Sequence, residues 1–235
     1  MTGYAARHTT PATAEEAVAV QGALRGRVVV ADETPPPGRP GTLVAGVDVA
    51  YDDARDAVAA AVVVLDGGTL EVVEEATAAG PVPFPYVPGL LAFRELPAAL
   101  AALDRLRGVP DLVVCDGYGL AHPRRFGLAS HLGVLTGLPS VGVAKNPFGF
   151  AHGPLSAQRG ARAALTDPAT GEVVGAALRT RAGVKPVYVS VGHRVTLDAA
   201  CAHVLRLARD VRQPETTRRA DRLCRAALAR AVAGA

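Results

Sequence analysis

The chain has 235 residues, 49% of them hydrophobic, and carries a formal net charge of +3 with a pI near 9.0. Its longest apolar runs, such as residues 57–65, are far too short to span a bilayer, and the first residues lack the basic start and apolar run of a secretion signal. These features argue against a membrane or exported protein. A chain of this length buries one sizeable core, so we expect one α/β domain over residues 1–235. The basic pI leaves room for a local surface that meets phosphates.

The cysteines bear on the compartment. There are three of them, an odd number without C-x-x-C spacing: Cys115, Cys201 and Cys224. This pattern favours neither a disulfide framework nor a zinc site. We therefore expect a cytoplasmic protein in a reducing environment.

The N-terminal part is predicted to hold one helix between two irregular segments. Residues 1–12 are expected to form a poorly ordered tail. Residues 13–30 place apolar side chains at helical spacing, and Thr13 followed by Glu16 forms a capping box. Residues 31–40 contain three consecutive prolines, which lack the N–H donors of regular structure, and so predict a linker inside the domain.

Three runs rich in β-branched residues follow the linker. They cover residues 43–51, 57–65 and 70–76, and the turn Asp66-Gly67-Gly68 between the second and third is typical of a hairpin. The three runs predict an antiparallel three-stranded meander.

The second half alternates helical and strand patterns. Leucines at near-helical intervals predict a helix over residues 89–107. A strand over 111–116, a helix over 126–135 and a strand over 140–144 then make a β-α-β crossover, so the sheet is expected to be mixed. The remaining predicted elements are strands over 173–178 and 187–191 and amphipathic helices over 197–209 and 214–232.

Two aspartates occupy positions in strands where a charge needs a reason. Asp48 interrupts an apolar strand, where a carboxylate must be paired or must bind a cation. Asp116 ends the next buried strand, and Gly117 and Gly119 after it let a phosphate or metal approach the backbone closely. Each aspartate alone fits a turn, cap or ion-pair role as well as a functional one.

A third carboxylate gives the pair a chemical interpretation. Glu95 lies on the helix that leads into the Asp116 strand, so the three side chains can converge at one sheet edge. Ligation by oxygen alone suits Mg²⁺ or Mn²⁺ rather than zinc, and such cations promote phosphodiester hydrolysis. The residues therefore indicate phosphoryl-transfer chemistry.

Four blocks of sequence together resemble the endonuclease V family, which has a ribonuclease-H-like fold. They are GVDVAY at 46–51, PYVPGLLAFRE at 85–95, DGYGLAHPR at 116–124 and GVAK at 142–145. The match recurs in order from about residue 46 to 221, which covers most of the chain. The resemblance implies an α/β fold with a ribonuclease-H-like mixed sheet flanked by helices.

The resemblance also implies roles for charged residues. Asp48, Glu95 and Asp116 look like the metal-binding carboxylates, with Asp221 as a possible fourth, and the implied cofactor is Mg²⁺, for which Mn²⁺ substitutes. Lys145 looks like the family lysine that stabilises charge at the scissile phosphate, although a solvated strand-end lysine is the alternative.

Further positions resemble those at which the family contacts its substrate. Tyr86 and Pro88, in the PYVP segment, look like a wedge that opens the duplex, although Tyr86 packing against the following helix is the alternative. His122 is expected to contact the phosphate or to shuttle a proton, with a purely structural role equally open. His193 is a further candidate contact, with a turn role as its alternative. The glycines Gly89, Gly117 and Gly119 complete the set.

A flipped base needs a pocket that reads its edge, because inosine presents a carbonyl acceptor where adenine has an amino donor. Backbone N–H groups at residues 117–120 or near Gly89 are the expected readers. Tyr118 and the segment 146–150 depart from the family pattern, which leaves the pocket and the substrate range open.

The resemblance implies a Mg²⁺-dependent endonuclease that cuts the second phosphodiester bond 3′ to inosine and leaves a 3′-hydroxyl, in DNA repair. The expected partner is inosine-containing DNA, or RNA, bound by a monomer without any membrane. The alternatives are a ribonuclease-H-like nuclease that selects structure rather than inosine, and a catalytically silent nucleic-acid-binding protein. Clustered carboxylates beside phosphates argue against the silent binder.

Overall fold

Residues 3–234 of the chain are described by the computed structural model, and they form a mixed sheet with helices on both faces. The α helices are α1 (Ala14–Arg25), α2 (Leu91–Leu103), α3 (Leu128–Thr136), α4 (Leu197–Leu207) and α5 (Glu215–Ala233), with 3-10 turns at Ala5–Arg7 and Asp53–Arg55. The strands are β1 (Leu43–Asp52), β2 (Ala57–Asp66), β3 (Val72–Pro81), β4 (Leu112–Asp116), β5 (Ser140–Ala144), β6 (Ala151–His152), β7 (Arg162–Thr166), β8 (Val173–Leu178) and β9 (Val187–His193).

The strands lie in one sheet in the order β3-β2-β1-β4-β5-β9-β8-β7-β6. The first three strands form the predicted antiparallel meander. Strand β4 runs parallel to both β1 and β5, and β9 returns antiparallel beside β5. The expected α/β fold with a ribonuclease-H-like mixed sheet and flanking helices is therefore confirmed.

The hairpin between β2 and β3 forms because one carboxylate satisfies the backbone of the turn. Asp66 Oδ1 accepts from the N–H groups of Gly68 and Thr69, each at 2.8 Å, and its Oδ2 accepts from Gly41 N–H at 2.6 Å. Since Gly41 belongs to the preceding linker, the same side chain also fixes where β1 starts.

The core is divided between the two faces of the sheet. Helices α2 and α3 cover one face, with Leu100 and Leu132 against Val113, and α4 and α5 cover the other, with Val204 against Val114. Successive residues of β4 thus enter opposite cores. This is why the strand reads as a continuous apolar run.

The N-terminal segment differs from the poorly ordered tail expected over residues 1–12. Tyr4 is buried against the α2 face, and the N–H groups of Tyr4 and Ala5 donate to the Asp104 carboxylate at 2.7 and 2.9 Å. A 3-10 turn of three residues is too short to give a periodic hydrophobic pattern, so the sequence did not predict this anchor. Residues 1 and 2 lie outside the described range.

Replacing Tyr4 with alanine tests this anchor. We expect the variant to lose about 3 kcal/mol of unfolding free energy, because a large ring leaves a buried site. Urea denaturation checks the value, with Thr9→Ala as a control at an exposed position just after the same turn. Equal midpoints for Tyr4→Ala and wild type would mean that the segment contributes nothing to the fold.

Two further elements differ from the sequence prediction. Helix α1 ends at Arg25 rather than near Val30, because Val29 bonds through both its N–H and its carbonyl to the end of β9. Strands β6 and β7 were not predicted, since β6 has only two residues and β7 lacks alternation. Within the described range, no helix is long and apolar enough to cross a membrane.

Candidate active site

Asp48 and Asp116 lie side by side on neighbouring parallel strands. The register pairs Val47 with Cys115, so the next residue on each strand is an aspartate. Val47 and Cys115 face the α2 core, and alternation therefore turns both aspartates towards the face covered by α5. The sequence prediction that these two carboxylates meet at a sheet edge agrees with this arrangement.

Glu95 approaches from the other face of the sheet. It is buried on α2, and the Tyr51 hydroxyl donates a short hydrogen bond to it. Within residues 3–234, no group of three histidine, cysteine, aspartate or glutamate side chains is placed so as to hold a metal ion. The structure thus brings two of the three predicted carboxylates together and keeps Glu95 bound to Tyr51.

The buried carboxylates sit in an unfavourable electrostatic environment. Burial, together with the charge of Asp116, raises the pKa of Asp48 to about 7, against the Val49 N–H bond at 2.8 Å and the charge of Lys145. Burial also raises the pKa of Glu95 to about 8, with Asp48 and Asp116 contributing, although the Tyr51 bond opposes the shift. A divalent cation between these acids would relieve their repulsion, so the donor set fits a hard metal ion.

Lys145 follows β5 and forms an ion pair with Asp116. Its Nζ lies 2.6 Å from Asp116 Oδ2. Partial burial acts to lower the lysine pKa, but the hydrogen bond and charge of Asp116 outweigh it, so the pKa is raised. The Arg212 guanidinium donates to the Lys145 carbonyl at 2.6 Å and holds the backbone there. The ammonium group is therefore charged and held at the acidic edge.

Asp221 reaches the same region from α5. Its charge raises the pKa of Asp48, which places the two carboxylates near each other. Asp221 Oδ1 also lies 2.8 Å from the Arg225 guanidinium one helical turn later. A role as a further metal ligand would not require release of this arginine, because both guanidinium contacts are to Oδ1 and the carboxylate has a second oxygen, Oδ2.

A pocket of about 220 Å³ lies beside the acids and gathers most of the predicted substrate positions. Its lining includes Tyr86, Pro88, Gly89, Gly117 and His122. The Tyr86 ring is 68% exposed, so it does not pack as a staple against α2. An aromatic side chain held in the solvent beside a base-sized pocket is placed to meet stacked bases.

The Gly89 carbonyl at the pocket wall accepts three hydrogen bonds. The donors are Gln21 Nε2 at 3.1 Å, His122 Nε2 at 2.9 Å and the Arg124 guanidinium at 2.6 Å. His122 Nδ1 accepts from the Arg124 N–H at 3.2 Å, so the ring proton is on Nε2. Burial, together with the Arg124 charge, lowers the pKa of His122 to about 4. His122 is therefore neutral and holds the Tyr86 loop through Gly89, which agrees with a structural role rather than with contact to a phosphate.

Gln21 and Phe148 line the pocket but were not among the predicted site residues. Gln21 lies on α1, far away in the chain, and its only sequence signal is a polar side chain on the buried side of a helix. Phe148 stands three residues after Lys145, and its ring contacts Tyr118 at 5.0 Å and stacks on His122. The Tyr118 hydroxyl donates to the Asn146 carbonyl at 3.0 Å. The segment that departs from the family pattern thus forms one wall of the pocket.

The glycines after Asp116 have different roles. Gly117 lines the pocket, whereas Gly119 packs on β9, where a Cβ would come within 2.0 Å of the Val191 carbonyl. The N–H groups of Gly117, Gly119 and Leu120 all donate within the protein. They are therefore not available to read a base, and Gly119 does not contact the pocket.

His193 is not brought to this site. It ends β9 and pairs with Ser140 at the start of β5, whereas Asp116 pairs with Val143 near the end of β5. His193 therefore lies at the opposite edge of the sheet. Its Nδ1 accepts from the Val29 N–H at 3.1 Å, which agrees with the hydrogen-bonding alternative.

A mixed sheet with paired aspartates and a lysine beside a base-sized pocket is the arrangement of a nucleic-acid hydrolase. The family model described as Endonuclease V matches residues 23–222. An endonuclease V of Streptomyces avermitilis is 66% identical over 223 residues, covering 95% of this chain and 96% of the relative. The crystal structure of the Streptomyces avermitilis endonuclease V aligns with a TM-score of 0.91 at 65% identity, over 95% of this chain and 96% of that one.

A crystal structure of Ciona intestinalis endonuclease V in complex with a 24mer DNA containing an inosine followed by a ribo-adenosine aligns with a TM-score of 0.80 at 27% identity, over 92% of this chain and 98% of that one. The chain belongs to the endonuclease V family, and it is a nuclease.

Proposed function

We propose that this protein is a Mg²⁺-dependent endonuclease that recognises inosine in DNA and hydrolyses the second phosphodiester bond 3′ to it, as a step of DNA repair. The observation that carries the proposal is the adjacency of the Asp48–Asp116 pair and Lys145 to a pocket of about 220 Å³. The Ciona relative in complex with inosine-containing DNA supports the choice of substrate.

Metal binding is assigned to the aspartates that share one face. Asp48 and Asp116 would hold the cation directly, and Asp221 would join them through its Oδ2, since Arg225 is bound at Oδ1. Bound Mg²⁺, or Mn²⁺ in its place, supplies a Lewis acid for the phosphate oxygens and lowers the pKa of water. Glu95 lies on the α2 face, where its Tyr51 hydrogen bond fixes the carboxyl group in place, and a bound cation would favour its charged form.

Lys145 acts at the scissile phosphate. Its ammonium group is held by Asp116, and a phosphate that approaches the acidic edge meets this cation first because the Lys145 side chain is half exposed. A point charge at that position stabilises the additional negative charge of the transition state. The same cation reduces the repulsion between the carboxylates and the incoming backbone.

Recognition is assigned to the pocket and its aromatic rim. Tyr86 would enter the base stack as a wedge, while the three-donor clamp on the Gly89 carbonyl holds its loop. A flipped base then enters between the loop and Phe148. Three of the four N–H groups of residues 117–120 are already bonded, which leaves the Tyr118 N–H and the pocket end near Gly89, the other predicted location, to read the inosine carbonyl.

Cleavage of matched labelled duplexes tests the proposal. DNA and RNA duplexes with and without one inosine are incubated with wild type, Asp48→Ala and Asp116→Ala in Mg²⁺, with Asp198→Ala as a control. Asp198 is an 82% exposed aspartate at the start of α4. We expect cutting one nucleotide beyond the lesion, reduced at least about 10³-fold in the first two variants and unchanged in the control.

The other outcomes discriminate between the remaining functions. Cutting that ignores inosine would favour a structure-selective nuclease, and binding without cutting in Mg²⁺ or Mn²⁺ would favour a silent nucleic-acid-binding protein. Comparison of the DNA and RNA substrates decides which sugar the site accepts, because a 2′-hydroxyl contact separates them.

A further inference from the structure

A second cleft, of about 530 Å³, opens at the sheet edge opposite the catalytic aspartates. The cleft lies between the loop that follows α3, the end of β9 and the N-terminal segment. Its polar lining comes from Arg7, Arg27, His193 and Arg194. None of the described residues that line it is acidic. The cleft and the aspartate pair lie at opposite ends of β5, and the four residue-to-residue steps of this strand separate its ends by about 13 Å. The cleft is therefore distinct from the site of the aspartates.

Every polar side chain of this cleft can donate a hydrogen bond. Guanidinium groups have five N–H donors and no acceptor. His193 Nδ1 already accepts from the Val29 N–H at 3.1 Å, so the neutral ring carries its proton on Nε2. Burial lowers the pKa of His193, and the charges of Arg194 and Arg27 lower it as well, although the charge of Glu33 opposes them, so the ring stays neutral. A ligand must therefore be an acceptor, and the arginines favour a negative one.

Arg194 is held in place although its conformation is unfavourable. Its backbone has φ 51°, in the left-handed region, and is fixed by bonds from its N–H to the Val29 carbonyl at 2.7 Å and from the Glu33 N–H to its own carbonyl at 3.2 Å. Its Nη1 lies 3.3 Å from the Glu33 carboxylate. Its Nε is buried and, among the described residues, has no hydrogen-bond partner. Strain together with an unused buried donor is typical of a ligand site.

One carbonyl at the cleft that would repel an anion is already occupied. Leu135 is in the last turn of α3, where the helix dipole is negative, and its carbonyl accepts from Arg7 Nη1 at 3.1 Å. The guanidinium of Arg7 keeps its other donors. Arg27 is exposed and lies two residues after the end of α1, so its side chain can reach a ligand without losing a structural contact.

We infer that this cleft is a binding site for a phosphate-type oxyanion, contributed either by the backbone of a bound nucleic acid or by free phosphate. A tetrahedral dianion offers acceptors to the converging guanidinium groups and to His193 Nε2–H. The site does not depend on the catalytic function proposed above.

Titration of the full chain with inorganic phosphate and pyrophosphate in metal-free buffer at constant ionic strength tests the site. Wild type is compared with Arg27→Ala and with Arg25→Ala, a matched control, since Arg25 is exposed two residues earlier and does not line the cleft. We expect saturable binding that weakens about tenfold in Arg27→Ala and stays unchanged in Arg25→Ala.

Duplexes of increasing length, bound without metal, identify the source of the anion. If the nucleic-acid backbone reaches the cleft, long duplexes will lose affinity in Arg27→Ala and short ones will not. Phosphate binding with unaltered duplex affinity identifies free phosphate instead. If neither phosphate nor any duplex distinguishes Arg27→Ala from Arg25→Ala, the site does not exist.

Discussion

Asp48→Asn is expected to stabilise the metal-free protein at pH 8 while it abolishes cleavage. The Asp48 carboxyl has a pKa of about 7 in the folded chain against an ordinary value of 3.8, mainly because it is buried. Folding therefore binds a proton, and the stability from that proton is fully present below about pH 3.8 and is lost as the pH rises to about 7. At pH 8 the buried charge costs on the order of 2–4 kcal/mol, and asparagine removes it at nearly the same volume.

Thermal unfolding at pH 5 and pH 8 with EDTA measures this effect. We expect the Tm of wild type to fall more from pH 5 to pH 8 than the Tm of Asp48→Asn does. At pH 8 the variant should melt roughly 5–10 °C above wild type. Mg²⁺ should raise the Tm of wild type, because the cation binds only the folded site, and leave the variant unchanged. Asp198→Asn, at an exposed aspartate of α4 that lines neither the pocket nor the aspartate pair, serves as the control.

The reverse result is equally informative. If Asp48→Asn melts below wild type at pH 8 without metal, the carboxylate stabilises the fold through contacts within the protein. The paired aspartates would then be structural, and the assignment of a cation to them would fail. A gain in stability together with loss of cleavage would instead show that repulsion between the buried carboxylates destabilises the fold and is kept because the site needs these charges for its function.

The sequence predicted the aspartate pair because a charge inside or at the end of an apolar strand has few structural explanations. It did not predict how Glu95 is oriented, since helical periodicity does not state which face of the sheet the helix covers. His193 was misassigned to the site for a related reason. A strand pattern does not give direction, and β9 runs antiparallel to β5, which carries its C-terminal residue to the far edge.

The pocket was only partly predictable. Tyr86 and Gly89 belong to one continuous sequence block, residues 85–95, so the motif alone identified them. Gln21 and Phe148 join the same pocket from separate elements, and only the packing of α1 and of the loop after β5 brings them there. Likewise the anchor at Tyr4 depends on a carboxylate a hundred residues away, Asp104.

Gly46→Ala is expected to destabilise the fold and to separate Asp221 from the other aspartates. Gly46 lies on β1 where α5 crosses, and a Cβ there would come within 2.3 Å of the Thr216 carbonyl carbon and 2.5 Å of its oxygen. These are backbone atoms of a buried residue, so the helix itself must move. We expect a loss of at least about 3 kcal/mol, at the upper end of overpacked cores.

Gly80→Ala is the matched control, because Gly80 is also a strand glycine, on β3, and a Cβ there meets nothing within 4 Å. Its unfolding free energy should stay within about 0.5 kcal/mol of wild type. Urea denaturation gives both values, and cleavage assays below the Tm of Gly46→Ala report on the site. Since Asp221 lies on the same helix as Thr216, displacement of α5 should lower cleavage even in the folded fraction. Full activity in a folded but destabilised Gly46→Ala would show that Asp221 does not take part in metal binding, and that the two strand aspartates suffice.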